Sequence, residues 1–273
     1  MLGIIILNYN SWELVIDCVN SIKITIKDNA INYKIYIIDN GSKNDSYEQL
    51  SKIYANDNRC VVESTGENLG FSGGNNYGSK IAIKDGCDTL LITNSDVVFT
   101  DNSIYLMYDA LKKYRAALVY PYVMNKDGSV QCNECMIGKR DWFYDFVILR
   151  EQLNKSLPQR IKNKYFINVD TIKEPVESNM YYGCCYMVDA VKYVNVNMLD
   201  ENIFLYYEEN ILSTKLIQNA EKIIFVPGAK IYHLCGASSD SKKIKMYVKK
   251  SRDYYLRYYK KYNKLLCYID KKI

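Results

Sequence analysis

The chain is poor in histidine, in paired cysteine motifs and in long apolar runs. It has one histidine, His233, among 273 residues. Cys132-x-x-Cys135 has the spacing of a zinc-ligand pair. No second such pair follows and the histidine lies far off in sequence, so the spacing argues only weakly for zinc. The nine cysteines do not pair neatly and read as buried or idle thiols of a reducing compartment. No apolar run approaches the length of a membrane span. The opening run Leu2–Leu7 is too short for a signal h-region, lacks a basic n-region and has no small-residue cleavage site behind it. A cytosolic protein is expected. Neither G-x-G-x-x-G nor Gly-Lys-Ser/Thr occurs, which excludes the dinucleotide fingerprint and the P-loop.

What is present is an ordinary globular balance, 48% hydrophobic and 25% charged. A chain of this length can bury a sizeable core as one large domain or two intimate ones. The charge is uneven. Residues 242–273 carry 12 Lys/Arg against 2 Asp, which leaves 24 basic and 29 acidic residues in the body. An acidic body argues against a nucleic-acid binder. A basic, Tyr-rich tail suits an anionic membrane surface. In that tail Tyr254, Tyr258 and Tyr262 recur every four residues, one stripe of a helix. The stripe reads as an interfacial aromatic face or as a face packed on the body, and the two readings are compatible.

Leu2–Leu7 reads as a buried first strand, with Asn8-Tyr9-Asn10 as its turn. Asn10 is placed to cap a helix, with Glu13 three residues on as in a capping box. Leu14, Val15, Cys18, Val19 and Ile22 give that helix an apolar face. Lys34–Ile38 is a strand ending in Asp39-Asn40-Gly41-Ser42, Ser46–Tyr54 a helix and Cys60–Val62 a short strand. Residues Asn68 to Asn76, rich in Gly and Asn, open a helix that runs to about Lys84. The strand Thr89–Thr93 leads into Asn94-Ser95-Asp96. A helix at Asn102–Tyr114 and a strand at Ala117–Val123 follow. Residues 126–178 hold no motif. They have an aromatic middle, Trp142, Phe143, Tyr144 and Phe146, and read as an excursion covering one side of the body. Tyr181–Val188 returns as a strand and Asp189–Val194 is a short helix. Phe204–Glu209 leads into another helix, and Ile223–Val226 and Lys230–Tyr232 are short strands ending at His233. Alternating strands and helices imply an α/β fold with a mostly parallel sheet. In such sheets ligands bind beyond the carboxyl ends of the strands. The turns 8–10, 39–42, 68–76 and 94–96 all fall there.

Asn94-x-Asp96 puts two oxygen-bearing side chains on one side of an extended chain, a ligand pair suited to Mg²⁺ or Mn²⁺. The plainer reading is a polar turn. Asp39 can accept from the N3–H of uracil or thymine, although Asp-Asn-Gly-Ser is also a strong turn by itself. The glycines of 68–76 permit close approach of a ligand or of packed neighbours, and the helix start presents N–H groups to anions. Glu208 and Glu209 are adjacent and cannot share one helix face. One can therefore face the crevice as a general base while the other structures the helix start. A lone histidine is more often structural than a ligand; as a ligand, His233 would complement Asp96 with nitrogen.

Taken together the set resembles the inverting family 2 glycosyltransferases of GT-A fold, and within them a bacterial rhamnosyltransferase-like branch. The resemblance runs from Ile4 to about Tyr262. It is carried by residues 6–10, 38–42, 68–76, 94–96, Gly183, Leu199-Asp200, 204–209, Val226-Pro227 and Tyr232-His233. It implies a GT-A nucleotide-sugar-binding half at 1–125, an acceptor-binding and catalytic half of the same domain at 126–241, and the basic helical tail at 242–273. It implies a UDP- or dTDP-linked sugar donor, rhamnose among the candidates, and a saccharide or lipid-linked saccharide acceptor in cell-surface polysaccharide synthesis. The site would lie at the inner face of the membrane, and an oligomer is compatible with it. Asn8, Tyr9, Asn10, Asp39 and Asn40 would hold base and ribose. Asn68, Gly70, Phe71, Gly73 and Asn75 would border nucleotide and sugar, with Asn94 and Ser95 beside them. Gly183 and Cys184 would lie on the acceptor side. Asp96 would bind Mg²⁺ or Mn²⁺ on the diphosphate, with Asn94 in the first position of the family's D-x-D, and His233 would complete the metal site. Glu209 aligns with the base, commonly Asp in the family, and Glu208 stays the alternative. The rival class is a catalytically weak sugar-nucleotide-binding partner of another transferase, distinguished by its lack of donor turnover.

Overall fold

Alternating apolar strands and amphipathic helices build one mixed sheet in the computed structural model, which describes residues 1–26, 31–138, 141, 143–144, 157–234 and 241–262. The chain runs β1 (Leu2–Asn8), α1 (Trp12–Ile26), β2 (Tyr33–Asp39), α2 (Ser46–Tyr54), β3 (Cys60–Ser64), α3 (Gly70–Lys84), β4 (Thr89–Asn94), β5 (Val97–Phe99), α4 (Ser103–Lys113) and β6 (Leu118–Met124). It continues through β7 (Glu134–Met136), α5 (Gln159–Lys162), β8 (Phe166–Asn168), β9 (Val176–Ser178), β10 (Cys185–Asp189), α6 (Ala190–Asn195), α7 (Glu208–Gln218), β11 (Ile223–His233) and α8 (Ser241–Tyr258).

The sheet order is β3-β2-β1-β4-β10-β6-β11-β5, with β9 also paired to β11. β1, β2, β3, β4, β6 and β11 all point one way, and β10 runs against them between β4 and β6. The sheet is covered on both faces, so its strands are apolar almost throughout. Along β1 the side chains alternate between two cores. Leu2, Ile4 and Ile6 pack with Val15, Cys18, Val19 and Ile22 of α1, while Ile5 packs on the opposite face with Ala82 of α3. α3 lies close to the sheet because it is glycine-rich. A Cβ at Gly78 would come 2.6 Å from Ile38 Cγ1, and one at Gly74 2.4 Å from Leu7 Cδ1.

Several elements differ from the sequence reading. α1 starts at Trp12, and Asn10 does not cap it. Asn10 has φ +59° and spends its groups across the crevice edge: its N–H donates to Ser42 Oγ, and its Oδ1 accepts from the Lys43 N–H. β5 was not expected. It is only three residues long and exists through its antiparallel pairing with the end of β11. The two short strands expected at 223–232 are one strand, interrupted by a register shift between Val226 and Lys230 where Pro227 can donate no N–H. The excursion carries a two-stranded sheet, β7-β8, beside an aromatic cluster in which Phe143 stacks on Tyr165 at 5.9 Å. Trp142 and Phe146 lie outside the described residues, as does the tail beyond Tyr262.

α8 docks on the body. Tyr255 and Leu256 are fully buried against Ile203, Tyr207 and Ile211. Ser251 Oγ donates to the Leu205 carbonyl at 2.8 Å, and Tyr254 and Tyr259 both donate to Asp200 Oδ2. The docked stripe is therefore centred on Ser251, Tyr255 and Tyr259. Tyr258, expected in the stripe, is 66% exposed. Among the described residues no helix is long and apolar enough to cross a membrane.

Candidate active site

The directions of the strands decide where the polar turns go. β1, β2 and β4 end at Asn8, Asp39 and Asn94 on one edge, β11 ends there at His233, and antiparallel β10 begins there, just after Gly183 and Cys184.

At the β1–β2 end, Asn8 and Asp39 are buried partners. Asn8 Nδ2 donates to Asp39 Oδ2 at 3.0 Å, and Asp39 Oδ1 accepts the Ser42 N–H at 3.0 Å. The Asp-Asn-Gly-Ser stretch is thus a turn closed by its own aspartate, and each carboxylate oxygen keeps a second lone pair. Tyr9 stands at the rim, 41% exposed.

Four residues expected at the donor make contacts within the protein. The Asn40 amide donates to Asn68 Oδ1 and the Gly70 carbonyl and accepts the Leu69 N–H. It ties the 68–70 loop to β2. Gly70, with φ +74°, lies against the Phe204 carbonyl, where a Cβ would approach to 2.4 Å. Gly73 is buried under Leu69, and Asn75 is buried with Nδ2 bonded to the Phe71 carbonyl one turn back. Asn75 Oδ1 is buried without a hydrogen-bond partner. Asn68 and Phe71 stay half-buried at the loop, and the Phe71 N–H donates to the Phe204 carbonyl at 2.9 Å. That bond ties the 68–71 loop to the segment leading into the two glutamates.

At the β4–β10–β11 end, the Asn94 N–H donates to the Cys184 carbonyl at 2.9 Å. Asn94, at the end of β4, and Ser95 and Asp96, in the following turn, are half-buried. Asp96 Oδ1 is 3.3 Å from His233 Nε2, so the structure brings together two residues 137 positions apart in sequence. His233 Nδ1 lies 2.8 Å from Gln131 Oε1. Gln131 was missed in sequence, because nothing in the irregular 126–178 stretch marks it.

The two glutamates part as adjacent helix residues must. Glu209 is half-buried, and a Cβ on Gly183 would come 2.4 Å from its Oε1, so its carboxylate rests on the Gly183 backbone. Glu208 is buried beneath, and its Oε1 has no hydrogen-bond partner. Burial and then the Glu209 charge push Glu208 up to about 8. Tyr206 and Tyr207, immediately before, hold φ +69° and +74°, a left-handed pair that bulky residues rarely adopt. Such strain persists where neighbours over-determine it, and here the α8 contacts to Leu205 and Tyr207 do so. Cys184 is a poor nucleophile, since burial pushes its thiol well up. Cys135 is fully buried against the Tyr120 hydroxyl. Among the described residues no group of three or more His, Cys, Asp or Glu is arranged to hold a metal, so Cys132 and Cys135 form no zinc site there.

The mixed α/β sheet of mostly parallel strands flanked by helices is the GT-A glycosyltransferase fold. Residues 3–171 match the family described as Glycosyl transferase family 2, and the chain belongs to that family. It is 24% identical over 209 residues to the low-salt glycan biosynthesis hexosyltransferase Agl10 of Haloferax volcanii, covering 76% of this chain and 59% of that protein. The chain thus spans less than two thirds of that relative's length. Similar solved structures include GalNAc-T7 with UDP, GalNAc and Mn²⁺, at TM-score 0.63 and 17% identity, over 94% of this chain and 49% of that one. TarS 1–349 of S. aureus with UDP-GlcNAc matches at TM-score 0.60 and 12% identity, over 94% and 67%.

Proposed function

We propose that the protein is an inverting glycosyltransferase that moves a sugar from a UDP- or dTDP-sugar to a hydroxyl of a saccharide or lipid-linked saccharide in cell-surface polysaccharide synthesis. The observation that carries this reading is the Glu209 carboxylate resting on Gly183, at the edge where the donor-side strands end. Family membership supports the reaction class, and the UDP in the GalNAc-T7 and TarS structures supports the donor class. The rhamnosyltransferase-like resemblance makes a dTDP-linked rhamnose the first sugar to try beside UDP-sugars.

Glu209 takes the proton of the acceptor hydroxyl. The freed oxygen attacks the anomeric carbon from the face opposite the nucleotide, and the bond to the diphosphate breaks with its electron pair staying on the diphosphate. Gly183 leaves the space that the carboxylate occupies. Glu208, held neutral by burial, keeps a second charge away from the base. Asp96 and His233 fit a divalent cation, one oxygen and one nitrogen 3.3 Å apart, and the donor's diphosphate would bring further oxygens. Mg²⁺ or Mn²⁺ held by these two residues would offset the charge that grows on the leaving group. The exposed Lys245, Lys249 and Lys250 of α8 would rest on the anionic inner face of the membrane, where lipid-linked acceptors lie.

Calorimetry of UDP with and without Mn²⁺, followed by UDP release from UDP-sugars, tests the reading. Metal and nucleotide should each raise the other's affinity by the same factor, and UDP should be released in the presence of saccharide acceptors. Tight nucleotide binding without release from any UDP- or dTDP-sugar would instead mark a binding partner of another transferase.

A further inference from the structure

The side of His233 turned away from Asp96 is also engaged. Its Nδ1 lies 2.8 Å from Oε1 of Gln131. An amide oxygen only accepts, so the nitrogen beside it carries the proton and donates. In the neutral ring this leaves the Nε2 lone pair aimed at Asp96 Oδ1, 3.3 Å away. A lone pair and a carboxylate repel at that distance unless positive charge, a proton or a cation, lies between them. Two adjacent ligands of an octahedral cation with bonds of about 2.1 Å stand about 3 Å apart, close to the separation seen.

We infer that Gln131 is a positioning residue, which fixes His233 as the Nδ1–H tautomer and presents the Nε2 lone pair to a divalent cation shared with Asp96. The inference rests on the metal reading of Asp96 and His233 above. The backbone places Gln131 without help from a metal. Residues 125–129 form a tight turn, with the Asn125 N–H on the Ser129 carbonyl at 2.8 Å and the Gly128 N–H on the Asn125 carbonyl at 2.9 Å. Gly128 supplies the φ of +82° that the turn needs, and Asp127 Oδ1 accepts from both the N–H and the hydroxyl of Ser129. The turn folds the chain back along β6. Val130 bridges Met124, and the Gln131 N–H donates to the Val123 carbonyl at 3.0 Å. On the other side of β6, β11 pairs Tyr232 with Met124, and His233 follows. The hairpin and β11 therefore deliver amide and imidazole to the same end of β6. An acceptor behind a ligating histidine orients the ring and makes it a better ligand.

The chain's single histidine makes the test direct. Tag-free protein labelled with ¹⁵N-histidine shows one imidazole, read above the ordinary histidine range at about pH 8.5. The wild type should carry its proton on Nδ1. Gln131→Leu should lose that preference and bind Mn²⁺ about 10–100-fold more weakly in the presence of UDP, with metal-free UDP binding unchanged. Gln131→Glu keeps an acceptor at the same reach and should retain both the tautomer and the Mn²⁺ affinity. Gln131→Leu combined with His233→Ala should bind Mn²⁺ no more weakly than His233→Ala alone, since both remove one interaction. A wild-type proton on Nε2, or wild-type Mn²⁺ affinity in Gln131→Leu while His233→Ala loses it, overturns the inference alone. Unchanged Mn²⁺ affinity in His233→Ala overturns the metal reading and the inference with it. The wild-type tautomer is decisive even if Gln131→Leu does not fold.

Discussion

At Gly183 an added methyl would meet Glu209 Oε1, the far end of a flexible side chain. The chain can absorb that contact by moving the carboxylate, so the cost falls on geometry more than on stability. Gly183→Ala should therefore lower sugar transfer by about 10²-fold, the weight of an ångström-scale misplacement, with a nearly unchanged melting temperature and unchanged UDP binding. Parallel transfer and thermal-shift assays check it. Glu209→Gln should keep nucleotide binding while transfer falls by about 10²–10⁴-fold, and Glu208→Gln should do less. Rates that rank the other way would make Glu208 the base. The two variants also differ in pH behaviour. Glu208 is raised from its ordinary value to about 8 by burial and by Glu209. Between about 4.5 and 8 the unfolded chain has released this proton while the folded chain holds it, so stability falls as pH rises through that window and levels off above it. Glu208→Gln removes that slope. Its melting temperature should gain on the wild type from pH 5 to pH 8, by about 2–4 °C for each kcal/mol relieved.

α8 has two jobs on two faces. Its inner face, through Ser251, Tyr255 and Leu256, buttresses the 203–211 segment that carries Glu208 and Glu209. Its outer face exposes Lys242, Lys243, Lys245, Lys249, Lys250 and Arg257. Deleting the helix would strip buried Tyr255 and Leu256 from the body and confuse folding with membrane contact. Reversing Lys245, Lys249 and Lys250 to Glu leaves the inner face intact. Such a variant should keep its melting temperature but lose binding to phosphatidylserine vesicles, at about 1 kcal/mol for each basic residue removed near the surface. High salt should do the same to the wild type. Co-sedimentation across a salt series measures both. Equal vesicle binding by variant and wild type would leave α8 only its buttressing role.

For the molecule as a whole, the sheet acts as a ruler. It sets Asn8, Asp39 and Asn94 side by side at adjacent strand ends and brings β10 and β11 to the same edge. Under the proposed function the base is a pyrimidine, whose N3–H would donate to Asp39. UDP or dTDP with Mn²⁺ should therefore raise the melting temperature more than GDP with Mn²⁺ does. A larger shift with GDP would remove Asp39 from base recognition.

Much of this architecture was legible in the sequence because strand and helix periods are local. The apolar runs at 2–7 and 89–93, the helix at 46–54 and the polar turns behind the strands need only near neighbours to be read. The candidate base lay between two adjacent residues for the same reason. Which glutamate faces outward depends on where β10 begins, since Gly183 receives Glu209 and the interior receives Glu208. At Asn40, Gly73 and Asn75 the sequence leaves open ligand contact, close packing and loop tethering, because small and polar side chains serve all three; the contacts add the packing and tethering. β5 and the contact of His233 with Gln131 join chain segments about a hundred residues or more apart, and the meeting of His233 with Asp96 was expected from the family resemblance alone. No local pattern encodes such a meeting, because it depends on the order and direction of the strands between them.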